Sequence, residues 1–265
     1  MRIAMQIEYD GRKFCGSQYQ SGVRTVQDEL EKALTAYLRS PERRRIHFSG
    51  RTDSGVHARG QVVHFDAAEE AASDLWRLCW ALNGIMKNDI SVVRAQVVRD
   101  DFHARYKAER RTYAYRILNR PQRSALLRDN HAFIPFPLDT NMMAQVAQAL
   151  VGEHDFTAFK STNSDTGTTI CRVERAQILN LGEGKLEFWI CANHFVYNMV
   201  RIIVGTLIEI GLGKRPSTDL VEALTGKERH QAGPTAPPWG LCLESVEYPT
   251  EFGLFTADLS GEPQP

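Results

Sequence analysis

The sequence predicts an α+β fold of two ferredoxin-like half-domains whose mainly antiparallel sheets meet at a central cleft. Residues 1–104 read in the order β-α-β-β-α-β, and residues 105–248 follow a related plan. With 265 residues and 43% apolar composition, the chain is long enough to bury a core of one large or two ordinary domains.

The first half starts with residues 3–9, which alternate as a strand should. After a glycine-containing loop, residues 25–38 place Val26, Leu30, Ala33, Leu34, Tyr37 and Leu38 on one helical face, and Thr25 with Asp28 three residues on has capping-box spacing. Residues 45–49 and 61–67 read as strands. Ser73 is placed to cap a helix with Leu75, Leu78, Cys79 and Leu82 inward, and residues 90–98 are β-branched again. In the second half, a strand at 112–118 precedes a helix from about Asp139 to Leu150, ended by Gly152. Strands at 173–181 and 186–192 are divided by a Gly-Glu-Gly turn. A long apolar helix from about Val196, a short helix after Ser217 and a strand at 241–248 complete the plan. The half-domain boundary falls at 104/105, residues 249–265 read as a loose tail, and STNSDTGTT (161–169) reads as a polar loop.

Lysine plus arginine and aspartate plus glutamate both number 32, so any attraction to an anionic partner must be local. It has two candidate sources. Residues 99–123 hold eight basic against three acidic side chains, and Arg39, Arg43, Arg44 and Arg45 form another cluster. Each is equally compatible with a solvated face. Cys15, Cys79, Cys171, Cys191 and Cys242 have no zinc or C-x-x-C spacing and read as reduced, buried thiols. The N-terminal MRIAMQIEYD lacks the apolar stretch of a signal peptide, and the apolar helix around Val196 is too short to span a bilayer and carries Arg201. The expectation is a cytoplasmic protein outside the membrane. There is no G-x-S-x-G, P-loop or dinucleotide fingerprint, which disfavours common hydrolases, NTPases and dehydrogenases.

Three elements carry chemistry. In FSGRTDSGVHARGQVVHF, Gly50 and Gly55 let the backbone fold around Asp53, although an Asx turn satisfied by its own amides has the same spacing. In VYNMVRIIVGTLIEI, Arg201 is surrounded by apolar residues and must find a carboxylate, a cleft or the helix edge. Tyr197, one helical turn earlier, is placed on the same face. In RRTYAY, alternation sends Tyr113 and Tyr115 to one face, flanked by Arg110 and Arg111. Aromatic rings beside arginines suit a flipped base near a phosphate backbone, and a tyrosine pair in an ordinary core has the same pattern. His57, His64 and His103 with Asp53 invite a metal reading, but no metal-binding spacing is present and no metal is expected.

These elements converge on a family. EYDGRKFCGSQYQ, VQDELEKAL, GRTDSGVHARGQVVHF, DDFHARYKAERRTYAYRI, GEHDFTAF and NHFVYNMVRIIVGTLIEIG, in that order and nearly end to end, resemble the TruA family of tRNA pseudouridine synthases. The resemblance implies RRM-like half-domains and isomerisation of uridine to pseudouridine at positions 38, 39 and 40 of the tRNA anticodon arm, without cofactor or metal. It implies that Asp53 is the essential carboxylate, that Tyr113 stacks on the uracil, that Arg201 pairs with Asp53 and keeps it ionised, and that Arg51 helps displace the target base. Arg110 and Arg111 are expected to contact substrate. A homodimer with one tRNA touching both subunits is implied as well. Two departures stand out: Ser17 replaces the family's usual Trp, and Met86-Lys87-Asn88 replaces its usual Leu-Pro. The competing readings are a non-catalytic RNA-binding protein using the same basic cleft and a metal-dependent hydrolase.

Overall fold

The computed structural model describes residues 1–161 and 167–255. Among these residues, ten strands join one sheet: β1 (Arg2–Tyr9), β2 (His47–Phe48), β3 (His57–Asp66), β4 (Ile90–Val98), β5 (Arg110–Asn119), β6 (Ala132–Ile134), β7 (Gly152–Asp155), β8 (Ile170–Gly182), β9 (Lys185–Ala192) and β10 (Leu241–Glu247). The helices are α1 (Val26–Tyr37), α2 (Glu69–Ala72), α3 (Leu75–Ile85), α4 (Thr140–Ala147), α5 (Met199–Gly211) and α6 (Asp219–Gly226). None is long and apolar enough to cross a membrane.

The first four strands lie in the order β4-β1-β3-β2, all antiparallel, and β10-β5-β9-β8 repeats that arrangement. Both are the ferredoxin-like order. The two sets join where β10 runs parallel to β3, with Cys242 opposite His57 and Leu243 opposite Ala58. Leu243 also pairs with Tyr113 on β5. The seam therefore brings the start of β3, and the loop just before it, beside the RRTYAY strand.

Period-2 alternation builds the core. Ile3, Met5 and Ile7 of β1 pack with Leu30 and Leu34 of α1 and Leu78 and Leu82 of α3 in the main cluster. Ala4 points the other way, into a second cluster with Val62, Phe102 and Phe252. Residues 249–255 are accordingly packed, correcting the expected loose tail at this end. Thr250–Phe252 forms a 3-10 turn, and Gln96 binds both Gly253 O (3.1 Å) and Phe255 N (2.9 Å). Residues 256–265 of that tail, and 162–166 of the polar loop, lie outside the described residues.

Several boundaries differ from the sequence expectation for local reasons. Asp74 rather than Ser73 caps α3, accepting from Arg77 N at 2.8 Å. Strand β2 shrinks to two residues because the chain before it is held by a side chain: buried Glu31 accepts from Ile46 N (3.0 Å) and pairs with Arg43. Strand β3 begins four residues early, at His57, because β10 supplies a partner. Helix α5 starts at Met199, leaving Tyr197 outside it.

Candidate active site

The loop between β2 and β3 is pinned from three sides. Fully buried Gln61 receives Ser49 Oγ (2.6 Å) and donates to Gly50 O (3.0 Å). Thr52 donates its amide to Ser17 Oγ (2.8 Å), shares a 2.7 Å hydroxyl contact with Tyr9, and accepts Ser17 N at 3.1 Å. The Tyr9 phenol is pushed up to about 12, chiefly by burial, so it is un-ionised at neutral pH. Ser54 Oγ and Gly55 N both donate to Phe14 O. Of the two glycines flanking Asp53, only Gly55 occupies the left-handed region, at φ 81°. These contacts leave the Asp53 side chain without a role in folding its own turn. Among the described residues no backbone amide donates to its carboxylate, which separates it from the Asx-turn reading.

Its partner is Arg201, whose Nη1 stands 3.3 Å from Asp53 Oδ2. The guanidinium is aimed by three acceptors: Nε donates to Ala236 O (2.8 Å), and Nη1 is also 2.7 Å from Asn198 Oδ1. Asn198 sits immediately before α5 in the left-handed region (φ 63°), which Asn tolerates better than most residues, and donates in turn to Ser161 Oγ at 2.8 Å. The segment carrying Ala236 approaches α5 so closely that a Cβ at Gly205 would lie 1.8 Å from Pro234 O, and Ala236 N donates back to Arg201 O at 3.0 Å. Neither Asn198 nor the 232–237 segment is singled out by the sequence. The position of Asn198, three residues ahead of Arg201 at the entry to an apolar helix, is the signal that was available.

The expectation that pairing depresses the Asp53 pKa is corrected. Its carboxyl lies above the ordinary 3.8, because burial outweighs the opposing charge and hydrogen bond of Arg201. Arg201 limits the rise rather than reversing it.

Asp53 and Arg201 open into a cleft of about 1370 Å³ that Arg51, Arg111, Tyr113 and Tyr197 also line. Tyr113 is 9% exposed, its ring meeting Phe195 edge-on with centroids 5.0 Å apart. Burial, then nearby Tyr9 and Asp53, raise its pKa, so the phenol keeps its proton at neutral pH. Tyr115 is fully buried and donates to Pro237 O at 2.8 Å, which is a core role. Arg51 is exposed on the rim, with no hydrogen-bond or ion-pair partner among the described residues.

The two adjacent arginines part company. Arg111 donates to the carbonyls of Ala108, Asn193, Ser49 and Arg105 at 2.6–3.1 Å, clamping three walls of the cleft. Arg110 does not line the cleft and is paired with Glu174 (2.7 Å) and Glu247 (3.1 Å). Arg43, in the other basic cluster, is likewise committed to Asp28 and Glu31. Arg110→Ala is therefore expected to leave RNA affinity within about twofold. Arg111→Ala, by orphaning several carbonyls, is expected to cost about 2 kcal/mol or more of stability in a denaturant titration.

The histidines do not gather on Asp53. His57 accepts from Gly11 N (3.2 Å), donates to Asp129 O (3.2 Å) and faces Asp10, which makes it a brace behind the loop. His64 and His103 lie together with His47 in a ring cluster, in which His47 stacks on His64 and His103 meets His64 edge-on. Among the described residues no group of three His, Cys, Asp or Glu side chains is arranged to hold a metal ion. What the site offers chemically is a partly buried carboxylate held by one guanidinium, a neutral phenol and a free guanidinium at the rim.

Ser17 has a role that the family departure does not reveal. It is 1% exposed and holds the residue next to Asp53 by both backbone and side chain. Ser17→Ala leaves the Thr52 amide without that acceptor, and an unsatisfied buried amide costs about 1–3 kcal/mol. Single-turnover assays are expected to show about a tenfold slower reaction at unchanged RNA affinity, restored by Ser17→Thr.

A family model described as tRNA pseudouridine synthase matches residues 5–107 and 146–249. The chain is 42% identical over 248 residues to a tRNA pseudouridine synthase A of Bacillus licheniformis, covering 94% of this chain and 99% of that relative. It is 43% identical over 254 residues to one of Shewanella amazonensis, covering 96% and 95%. A Lactococcus lactis relative of the same description is 42% identical over 247 residues, covering 93% and 97%.

Proposed function

The chain belongs to the tRNA pseudouridine synthase family, and on that premise we propose that it isomerises uridine to pseudouridine at positions 38, 39 and 40 of the tRNA anticodon stem-loop. The observation that supports this reading best is the Asp53–Arg201 pair, a partly buried carboxylate with a single counter-charge facing an open cleft. In the reaction the bond from N1 of uracil to C1′ of ribose breaks and a bond from C5 to C1′ forms. The C5 proton is lost and N1 ends protonated, so no redox partner is required.

Asp53 serves as the essential carboxylate, either as nucleophile on sugar or base or as the base removing a ribose proton. Each duty requires the ionised form, and the Arg201 charge supports that form against burial. Tyr113 stacks on the uracil, and because its phenol is un-ionised it takes part in loss of the C5 proton only as a relay, passing its own proton to solvent in the cleft as it accepts the one from C5. Arg51, free at the rim, takes the place vacated when the base leaves the stem-loop stack. Arg111 acts on substrate indirectly, by shaping the cleft wall, and Arg110 is spoken for by its two glutamates. Residues 1–104 and 105–248 serve as the half-domains that enclose the base, no cofactor or metal takes part, and the protein works in the cytoplasm as a homodimer with one tRNA touching both subunits.

Incubating the purified protein with unmodified tRNA and mapping pseudouridine tests this reading. Product at 38–40 that survives EDTA is expected. Salt-sensitive tRNA binding with no altered uridine favours the non-catalytic RNA-binding reading instead.

A further inference from the structure

Resting on the reading that RNA occupies the cleft, we propose that Tyr106 is a stacking platform for the base of a nucleotide flanking the flipped uridine. Tyr106 is 75% exposed, yet it stands in a segment whose Phe102 and Ala104 are fully buried. That segment is fastened on every side. Ala104 N donates to His64 Nδ1 (3.1 Å), Tyr248 donates to Ala104 O (2.8 Å), Lys107 N donates to His103 O (3.0 Å), and Arg111 donates to Arg105 O (3.0 Å). Because Arg111 also holds Ser49 O (2.9 Å), the same side chain fixes the Tyr106 segment relative to the loop that carries Arg51 and Asp53.

Behind the ring is a cluster of imidazoles, with His103 edge-on to His64 at 65° and tilted 55° to His47. The His103 ring lies 4.3 Å from Tyr106, centroid to centroid, at 35°, and His103 contacts His64 (4.6 Å) and His47 (5.4 Å). His47 and His64 stack at 4.9 Å and 21°. Burial pushes His64 down to about 3 and also lowers His103, so both are neutral at neutral pH and back the phenol as aromatic rings rather than as charges. The Arg105 guanidinium carbon lies 5.9 Å from the Tyr106 ring centre, placing one cation beside the platform. His47, His103, Arg105 and Tyr106 line the same cleft as Asp53. A rigidly supported, open aromatic face in a concave site costs little ordering entropy when a base settles on it.

Stacking also fits the substrate problem. An enzyme that treats three consecutive positions meets a different flanking base each time, and every base has a π face, so a stacked contact holds where hydrogen-bonded readout fails.

The test measures binding and single-turnover rates on anticodon stem-loops with Tyr106→Ala, Tyr106→Phe and Tyr106→Trp. Tyr106→Ala is expected to bind about tenfold or more weakly, with the rate at saturating RNA largely kept, whereas Phe and Trp retain affinity. A stem-loop with an abasic flanking nucleotide is expected to lose the same factor with the unsubstituted protein and nothing further with Tyr106→Ala. Unchanged RNA affinity in Tyr106→Ala overturns the proposal, as do additive losses from the substitution and the abasic site. Loss of self-association with RNA affinity intact overturns it too, assigning the ring to a subunit contact. Affinity is read independently of product, so absence of pseudouridine from the unsubstituted protein counts against the proposed reaction and leaves this contact to be judged by binding.

Discussion

Asp53→Asn is expected to abolish pseudouridine formation, by a factor on the order of 10⁴ or more, while tRNA affinity stays within about threefold and the fold is no less stable at neutral pH. The loss of activity follows from the duties open to Asp53, all of which need an ionised carboxylate that an amide cannot supply. Affinity survives because RNA binding draws on cationic and aromatic groups along the cleft, and Asn keeps the shape of Asp. The stability outcome follows from the sign of the pKa shift. The folded chain holds the Asp53 proton more tightly than the unfolded chain, so the linked stabilisation is fully present below 3.8 and is lost as pH rises through the folded pKa. At neutral pH the enzyme thus carries a partly buried ionised carboxylate at a cost to its stability. Asn removes that cost, and Arg201 keeps its bonds to Ala236 and Asn198. Thermal melts of the two proteins at several pH values are expected to diverge in favour of Asn as pH rises above 3.8. Pseudouridine made by Asp53→Asn at a normal rate removes Asp53 from the chemistry, and a variant markedly less stable at neutral pH contradicts the burial argument.

The part of the site legible in the sequence was the part whose logic is charge in apolar surroundings. An arginine in VYNMVRIIVGTLIEI demands a partner, a carboxylate in a glycine-pinched loop is free to be one, and the two meet at 3.3 Å across 148 residues. The contacts that aim Arg201 were not legible, because Ala236 contributes a carbonyl that every residue possesses. Only the close packing of 232–237 against Gly205 brings that carbonyl into range. The short strands β6 and β7 were missed for a similar reason, since three or four residues carry no period long enough to read. The adjacent arginines show a signal present but unused. In a strand, Arg111 shares a face with Tyr113 and Arg110 takes the other, so both cannot reach one cleft. Charge counting hid what alternation already stated.

Arg201→Met is expected to slow the reaction at neutral pH by about 10²–10³-fold and to move the acidic limb of the pH–rate profile to higher pH. Burial alone acts to raise the Asp53 pKa, and Arg201 opposes it through its charge and its hydrogen bond. With Met in place, nothing opposes the rise, a larger fraction of Asp53 is protonated at any given pH, and activity recovers partly as the solution is made more alkaline. Simple disruption of the site predicts a different result, a lower rate at every pH with the limb in place. Arg201→Lys separates the two functions of the guanidinium. An ammonium restores the charge, so the acidic limb should return toward its original position, but it has no planar fork to hold Ala236 O, Asn198 Oδ1 and Asp53 Oδ2 together, so the plateau rate should stay low. Single-turnover rates across pH for the three proteins give limb and plateau independently. A limb that does not move in Arg201→Met means that the ionisation of Asp53 does not depend on Arg201, and the electrostatic half of the pairing is then wrong even if the plateau falls.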